Sequence, residues 1–213
     1  MTKMKVELVE YAGGDLSVVN SARVSFNKEV YEIEEGDEKL INYLAKHKHM
    51  TPFRHNFIQL RCKVPLFLAR QLMKHQAGLT WNEESRRYVD DIPEFYTPKE
   101  WRGRPEGSIK QGSSGGVDNE RVIASWYSHN IVTAKRDYTA LLDNGVAPEM
   151  ARMILPQSMM VNFIWSGNLL SFFHVFSLRS GEGAQEEAKE FATLLGEVIQ
   201  PVFPISWESL TKQ

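Results

Sequence analysis

The sequence predicts an α+β fold, a mixed α/β chain in which helices surround a small mixed sheet. Residues 57–64 and 159–165 alternate between apolar and polar or smaller side chains, as strands do when one face is buried. Several longer segments instead repeat apolar residues every three or four positions, which is the spacing of an amphipathic helix. Because helices dominate and strands are scattered among them, a mixed architecture follows.

The first half of the chain supports this class with elements marked by their pattern or by their end residues. In order they are a strand over residues 5–11; a helix that Asp37 caps and that ends near Lys48; the alternating strand over 57–64; and a helix through Leu68, Leu72 and Met73 with Pro65 in its first turn.

The second half continues in the same way. Its elements are a long helix over 123–141 that Asn144 and Gly145 end; a short helix between Pro148 and Pro156; the alternating strand over 159–165; a buried helix over 169–178; and a last helix whose apolar face runs from Ala184 to Val198.

Length and composition are those of an ordinary globular protein. With 213 residues, we expect a single domain over residues 1–213. Glycine and serine dominate residues 101–119, where we expect a flexible insertion that is either a domain boundary or a loop beside an active site. The formal net charge of −2 argues against a protein held on nucleic acid by bulk positive charge.

Cysteine and histidine usage gives no reason to expect a metal. Cys62 is the single cysteine, so an internal disulfide is excluded, and its alternation with Ile58 and Leu60 predicts a buried side chain. The histidines at 47, 49 and 55 match no common zinc pattern. The first residues lack the apolar run of a signal peptide and no apolar stretch could span a membrane, so we expect a cytoplasmic protein.

The most unusual stretch joins residues 70–76 to residues 82–88. It combines arginines, a lysine, a histidine, amides, carboxylates and a hydroxyl within nineteen residues, and Arg70 and Lys74 share one helix face. Guanidinium groups offer two parallel donors, which suit phosphate and planar carbonyl groups, so a nucleotide is the natural ligand. Charge alone, however, fits an exposed and salt-bridged face better.

Two further arginines stand in apolar surroundings. Arg152 lies within Ala151-Arg152-Met153-Ile154-Leu155, and Arg179 follows the apolar run that ends at Leu178. A buried bare charge is costly, so each of these arginines either pairs with a carboxylate or binds a ligand anion. The sequence leaves both alternatives open.

Taken together, these stretches resemble flavin-dependent thymidylate synthase, and the resemblance extends over most of the chain. The order and spacing of the motifs carry it, since none of them is decisive alone. They are Ala22-Arg23-Val24-Ser25-Phe26, His49-x-Thr51-Pro52-Phe53-x-His55, Ala69-Arg70-Gln71, Asn82-Glu83-x-Ser85-x-Arg87-Tyr88, Arg152-x-x-Leu155-Pro156, Asn168, Leu178-Arg179 and Ala184-Gln185.

The resemblance implies an enzyme that methylates dUMP to dTMP. It implies a homotetramer with active sites shared between subunits, FAD as hydride carrier, methylenetetrahydrofolate as one-carbon donor and NADPH, or a related nicotinamide, as reductant. The family needs no catalytic cysteine, which agrees with a buried Cys62.

The resemblance also implies site residues. It places flavin contacts on Thr51, Lys74, His75, Gln76, Glu83, Asn168, Leu169, Leu170 and His174. It places nucleotide contacts on Gln71, Leu72, Met73 and Lys74 of a neighbouring subunit, and on Glu83, Glu84, Ser85, Arg86, Arg87, Arg152 and Arg179.

Three of the residues are expected to take part in catalysis. The positive charge of Arg179 would favour ionisation at N3 of the pyrimidine and push electron density toward C5. Ser85 would orient the uracil, with a covalent nucleophile as the weaker alternative. His49 would shape the flavin and folate side of the cavity.

The chain departs from the family pattern near the expected flavin contacts. Lys74-His75-Gln76 stands where the family usually has Arg-His-Arg, Arg54 replaces a glutamate, and His174 replaces an asparagine. Lysine keeps the charge but loses the fork, and glutamine loses the charge, so the phosphate contacts of the flavin are in question rather than the reaction.

Two other functions fit parts of the sequence. A non-enzymatic nucleotide or RNA-binding module would use the same arginines together with Trp81 and Tyr88, although the near-neutral charge disfavours it. A helical nucleotide pyrophosphatase would use Glu83 and Glu84 with magnesium, but it lacks a second acidic pair at helical spacing.

Overall fold

The computed structural model describes residues 3–106 and 112–212. Within these residues, helices outnumber strands, and short 3-10 turns link several of the elements. The elements are β1 (Lys5–Ala12), α1 (Asp15–Arg23), α2 (Glu35–Lys46), β2 (Phe57–Pro65), α3 (Leu66–Leu72), β3 (Leu79–Glu83), α4 (Glu120–Asp143), α5 (Pro148–Ala151), β4 (Met160–Gly167), α6 (Leu169–Ser180), α7 (Glu186–Ile199) and α8 (Pro204–Thr211), with 3-10 turns at Val24–Phe26, Thr51–Arg54 and Arg152–Ile154.

The four strands form one antiparallel sheet in the order β1-β2-β4-β3. The mixed α/β class is therefore confirmed, but the expectation of a mixed sheet is wrong. Alternation along β2, where Ile58, Leu60, Cys62 and Val64 are buried, reports which face is covered. It carries no information on strand direction, because direction depends on pairing between segments that are distant in the chain.

The chain divides into two compact units that interleave along the sequence. The first contains Lys63–Gln71 and Glu83–Phe163, and the second contains Lys5–Cys62, Leu72–Asn82 and Ile164–Gln213. In the first unit, the 24-residue helix α4 packs against α5 and the following 3-10 turn. Gly145, with φ of +81°, ends α4, which confirms the predicted stop.

The second unit holds an aromatic core between the sheet and its helices. The ring of Trp165 on β4 lies 5.5 Å from Phe172 on α6 and 6.3 Å from Phe191 on α7. The buried carboxylate of Asp15 accepts from the backbone N–H groups of Ile205 and Ser206 at 2.9 Å, so it caps the first turn of α8.

All the predicted helices and strands are confirmed, with corrections at two ends. Asp37 lies inside α2 rather than at its cap, because Glu34 is the N-cap residue and donates its backbone N–H to Asp37 at 3.0 Å. Pro65 closes β2, and the next helix begins at Leu66. Three short elements, α1, β3 and α8, were not predicted.

Backbone hydrogen bonds join the two ends of the glycine-rich segment. Gly103 donates to the carbonyl of Gly115 at 2.8 Å, and Ser114 donates to Gly103 at 2.9 Å. Residues 107–111 of the expected insertion lie outside the described residues. Across the part of the chain that is described, no helix combines the length and the apolar character that a membrane crossing requires.

Candidate functional site

A cavity of about 700 Å³ opens in the first unit. Besides Arg86, three arginines line it, and each comes from a different element: Arg70 from α3, Arg87 from the segment after β3, and Arg152 from the 3-10 turn. Its other lining residues are Glu83, Glu84, Ser85, Arg86, Gln157, Leu66, Met153, Leu155, Met159 and Val161. The cavity thus joins a strongly basic wall to an apolar wall, which suits a ligand that is anionic at one end and flat at the other.

The segment after β3 is held in place by β4. Glu84 donates its backbone N–H to the carbonyl of Asn162 at 2.9 Å, and Asn162 Nδ2 donates to Glu84 Oε2 at 2.7 Å. These two bonds fix the segment just before Ser85. The position of the serine therefore depends on a residue far away in the sequence.

Arg86 is buried and is already neutralised by carboxylates. Its guanidinium lies 3.2 Å from Glu84 Oε1 and 2.9 Å from Asp91 Oδ1, and it also donates to the Asp91 carbonyl at 2.7 Å. An arginine with its charge matched in this way supports the segment. The sequence predicted Arg86 as a nucleotide contact, and Arg86 does line the cavity, with its charge already matched by carboxylates.

Arg87, by contrast, is exposed beside the cavity. Its backbone N–H and its Nε lie 3.3 Å and 3.4 Å from Ser85 Oγ, so the serine hydroxyl accepts from both. A hydroxyl that accepts can still donate its own proton, and Ser85 therefore keeps a donor for a carbonyl group in the cavity. The guanidinium carbon of Arg87 also lies 5.2 Å from the centre of the Tyr88 ring.

A second group of predicted residues gathers in the second unit, around the end of α6. Arg179 Nε donates to His75 Nε2 at 3.0 Å. Burial, then the charges of Arg179 and His174, lower the pKa of His75. Burial, then the charge of Arg54, lowers the pKa of His174, and burial lowers the pKa of Arg179. Besides burial, the groups that lower the pKa values of these two histidines are cationic or can become so, which suits an anionic ligand.

The start of α6 is fixed by amide side chains. Asn168 is its N-cap and accepts from the backbone N–H and the hydroxyl of Ser171, both at 3.0 Å. The N–H of Leu169 donates to Asn56 Oδ1 at 2.7 Å, and the side chains of Leu169 and Leu170 are buried. Any ligand contact of these two leucines would therefore go through the backbone.

The remaining predicted residues are exposed or lie elsewhere. His49 and Thr51 are exposed at the 3-10 turn, and the His49 ring lies edge-on to Tyr43 at 5.9 Å. Lys74 and Gln76 are also exposed in the second unit. The lining of the cavity includes none of residues 71–74, which the sequence assigned to a neighbouring subunit.

Two polar lining residues were absent from the predicted contacts, namely Arg70 and Gln157, as were the apolar lining residues. Arg70 had a signal, since it opens the basic stretch over residues 70–76, but the expectation that it shares a helix face with Lys74 is wrong because α3 ends at Leu72. Gln157 had none, because a single amide after a proline carries no pattern. Cys62 is buried, which raises the pKa of its thiol and confirms it as a core residue. Among the described residues, no three His, Cys, Asp or Glu side chains lie close enough together to hold a metal.

Comparisons with known proteins agree with this arrangement. The sequence model of the family described as thymidylate synthase complementing protein (Thy1) matches residues 7–205. A flavin-dependent thymidylate synthase of Thermus thermophilus is 36% identical over 202 residues, covering 95% of this chain and 73% of that protein. One from Thermotoga neapolitana is 34% identical over 207 residues, covering 97% of this chain and 90% of that protein.

Solved structures give the same relationship. The UMP/dUMP methylase PolB of Streptomyces cacaoi, in a crystal structure with 5-Br dUMP, superposes with a TM-score of 0.88 at 29% identity, covering 99% of this chain and 96% of that one. Its structure with 5-Br UMP also gives a TM-score of 0.88, at 30% identity, covering 100% of this chain and 95% of that one.

Proposed function

Because this chain belongs to the thymidylate synthase complementing protein family, we propose that it methylates dUMP to dTMP with the help of a bound flavin. The observation that carries the proposal is the cavity of about 700 Å³ in the first unit, where three arginines converge beside Ser85 and an apolar wall. Relatives named as flavin-dependent thymidylate synthases and as a UMP/dUMP methylase support the same substrate.

The cavity would bind the phosphate and the base of the nucleotide through different residues. Arg70, Arg87 and Arg152 would neutralise the phosphate dianion, because guanidinium groups bind its oxygens with paired donors. Ser85 would donate to a uracil carbonyl and so orient the base. In this proposal Glu84 and Arg86 keep the segment in shape and do not bind the phosphate directly.

The basic group in the second unit fits the anionic cofactor that the family name implies. The cations Arg54 and Arg179 lie close enough to lower the pKa values of His174 and His75, and such positive charge suits the phosphates of FAD. The residues proposed to hold FAD are Thr51, Lys74, His75, Gln76, Glu83, Asn168, Leu169, Leu170 and His174. When bound, FAD supplies the hydride that completes the methyl group.

Arg179 would activate the base. A guanidinium remains protonated even when burial lowers its pKa, so its positive charge is available throughout the physiological range. Held beside the pyrimidine, this charge would stabilise the anion formed by loss of the N3 proton and enrich C5 in electrons. His49 would border the flavin and folate side.

The proposal includes further partners. Methylenetetrahydrofolate would supply the carbon, and NADPH or a related nicotinamide would supply the electrons. The chain would act as a homotetramer in which residues 71–74 of one copy complete the site of another.

The structure weighs against both alternative functions. Glu84 is engaged by Asn162 and Arg86, so it is poorly placed to bind magnesium as a pyrophosphatase would require. An RNA-binding module would need an extended basic surface with stacking aromatics. The arginines here instead line a cavity of a size that suits a small molecule.

Reconstitution with FAD tests the proposal. Purified protein should bind FAD, lose its yellow colour on addition of NADPH, and form dTMP from dUMP and methylenetetrahydrofolate. The Arg152→Ala variant should lose dUMP binding, whereas Arg136→Ala, which removes an exposed arginine of α4, should not. Protein that takes up no flavin and forms no dTMP would contradict the proposal.

A further inference from the structure

The bond between Arg179 and His75 requires one particular protonation state of the histidine. Arg179 Nε can only donate, so the acceptor, His75 Nε2, must carry no proton. His75 is therefore neutral, with its hydrogen on Nδ1. We propose that neutral His75 is a positioning residue, which accepts from Arg179 Nε and thereby fixes the plane of the guanidinium that activates the substrate. This inference rests on the proposed function only for the role of Arg179 in activation.

The fold restricts the positions of both His75 and Arg179. His75 follows α3, and its backbone N–H donates to the Leu72 carbonyl at 3.0 Å. Arg179 lies in the last turn of α6, and both side chains are half-buried. A guanidinium is planar, so a bond to Nε limits its rotation and sets the direction of the terminal nitrogens. The distance of 3.0 Å is that of an ordinary hydrogen bond.

The surroundings keep His75 neutral. Two positive or potentially positive groups of α6, Arg179 and His174, act on it, and Arg54 on the 3-10 turn acts in turn on His174. A proton added to His75 would remove the acceptor and place a second charge against Arg179. Because burial and these charges lower the pKa of His75, the contact persists to a lower pH than an exposed histidine would allow and breaks as the pH falls through that lowered pKa.

Nitrogen NMR of the protein labelled with ¹⁵N-histidine tests the protonation state without any turnover. At neutral pH, His75 should show an unprotonated Nε2 and a protonated Nδ1. In Arg179→Ala the tautomer with the proton on Nε2 should become populated. A wild-type His75 that carries its proton on Nε2 at neutral pH would overturn the proposal, whatever reaction the protein catalyses.

A pair of substitutions tests the consequence for the reaction. His75→Gln keeps an acceptor oxygen but cannot titrate, whereas His75→Leu has no acceptor. His75→Leu should lower kcat for dTMP formation by about a hundredfold at all pH values, as expected for a displaced catalytic group. His75→Gln should keep kcat within about threefold of the wild type and lose the fall in activity on the acid side.

Because His75 is also proposed to contact FAD, each rate is taken per bound flavin, and His129→Gln, a substitution on the exposed side of α4, serves as the control. If His75 only bound FAD, the Gln and Leu variants would keep the kcat of the wild type per bound flavin. Equal kcat per bound FAD in the Gln and Leu variants would therefore overturn the positioning role. If the wild type itself made no dTMP, the proposed function would fail while the NMR result still decided the protonation of His75.

Discussion

Two adjacent arginines, Arg86 and Arg87, have opposite surroundings although nothing separates them in the sequence. The side chain of Arg86 is 9% exposed and lies between Glu84 and Asp91. Arg87 is exposed at the cavity wall. A charge matched inside the protein contributes to folding, whereas a charge facing a cavity is available to a ligand.

Alanine substitutions at these two positions should therefore separate stability from binding. Arg86→Ala leaves Glu84 without its ionic partner and should lower the free energy of unfolding by about 2 kcal/mol. Arg87→Ala should leave unfolding within about 0.5 kcal/mol of the wild type and raise the KM for dUMP at least tenfold. Urea unfolding measures the free energy of unfolding, and initial rates at varied dUMP concentration measure the KM. A larger KM effect for Arg86→Ala than for Arg87→Ala, with unchanged unfolding, would contradict this division.

The sequence could predict that this segment belongs to the site. It could not predict which of its residues face the ligand and which support the fold. Both arginines follow an acidic pair, and both match the requirements of a phosphate ligand. The partner that decides the orientation of Glu84 is Asn162, which is 78 residues away. Such a contact exists only in the folded chain, because it depends on the pairing of β3 with β4.

At the scale of elements, the tight turn before β3 depends on Gly78. Leu79 donates its N–H to the Gln76 carbonyl at 3.3 Å, and Gly78 has φ of +71°. A Cβ at this position would lie 2.4 Å from Ser171 Oγ and 3.1 Å from Asn168 Nδ2. Glycine is therefore required both by the backbone conformation and by the close approach to the cap of α6.

Gly78→Ala should destabilise the protein and disturb the cap. The left-handed backbone alone costs about 1–2 kcal/mol for a residue with a Cβ. Gly36→Ala is the matched control, because a Cβ there meets nothing within 4 Å and lies in helix α2, where alanine should stabilise by about 0.5 kcal/mol. Thermal unfolding and bound FAD should both fall in Gly78→Ala and not in Gly36→Ala. Equal melting temperatures for the two variants would contradict the requirement for glycine.

The elements that the sequence missed are short and depend on tertiary contacts. Strand β3 has five residues, and several of its side chains are exposed. Its place is set by pairing with β4 and by the contact between Trp81 and Trp165, whose ring centres are 5.4 Å apart. The sequence predicted the long helix α4 and the alternating strand β2 because apolar residues recur in each at a regular spacing over many positions.

At the scale of the whole molecule, the family could be identified from the sequence although the assembly could not be derived from it. The motifs that carry the resemblance are spread from Ala22 to Gln185, and the family match extends over residues 7–205. Motif order is a property of one chain. In the proposed tetramer, which copy would supply residues 71–74 to which cavity depends on surfaces that meet only in an assembly.

The surface of α4 is the best place to test that assembly. Trp126 and Val132 of α4 are 65% and 66% exposed, and Met153 after α5 is 71% exposed. A groove of about 770 Å³ continues along the same helix, lined in part by Ala134, Leu141 and other apolar groups. We propose that this exposed apolar surface is where copies of the chain meet.

We expect the wild type to sediment with the mass of four chains, and Trp126→Glu to give smaller species, because a buried carboxylate without a partner is costly. If each active site needs more than one copy, dTMP formation should fall together with the tetramer, whereas circular dichroism should show that the fold of each chain is kept. Ser128→Glu, which adds the same charge to an exposed position of the same helix, should leave both mass and activity unchanged. Full activity in a monomeric Trp126→Glu protein would show that one chain holds a complete site. A tetramer that persists in Trp126→Glu would show that the apolar face of α4 is not the contact that holds the copies together.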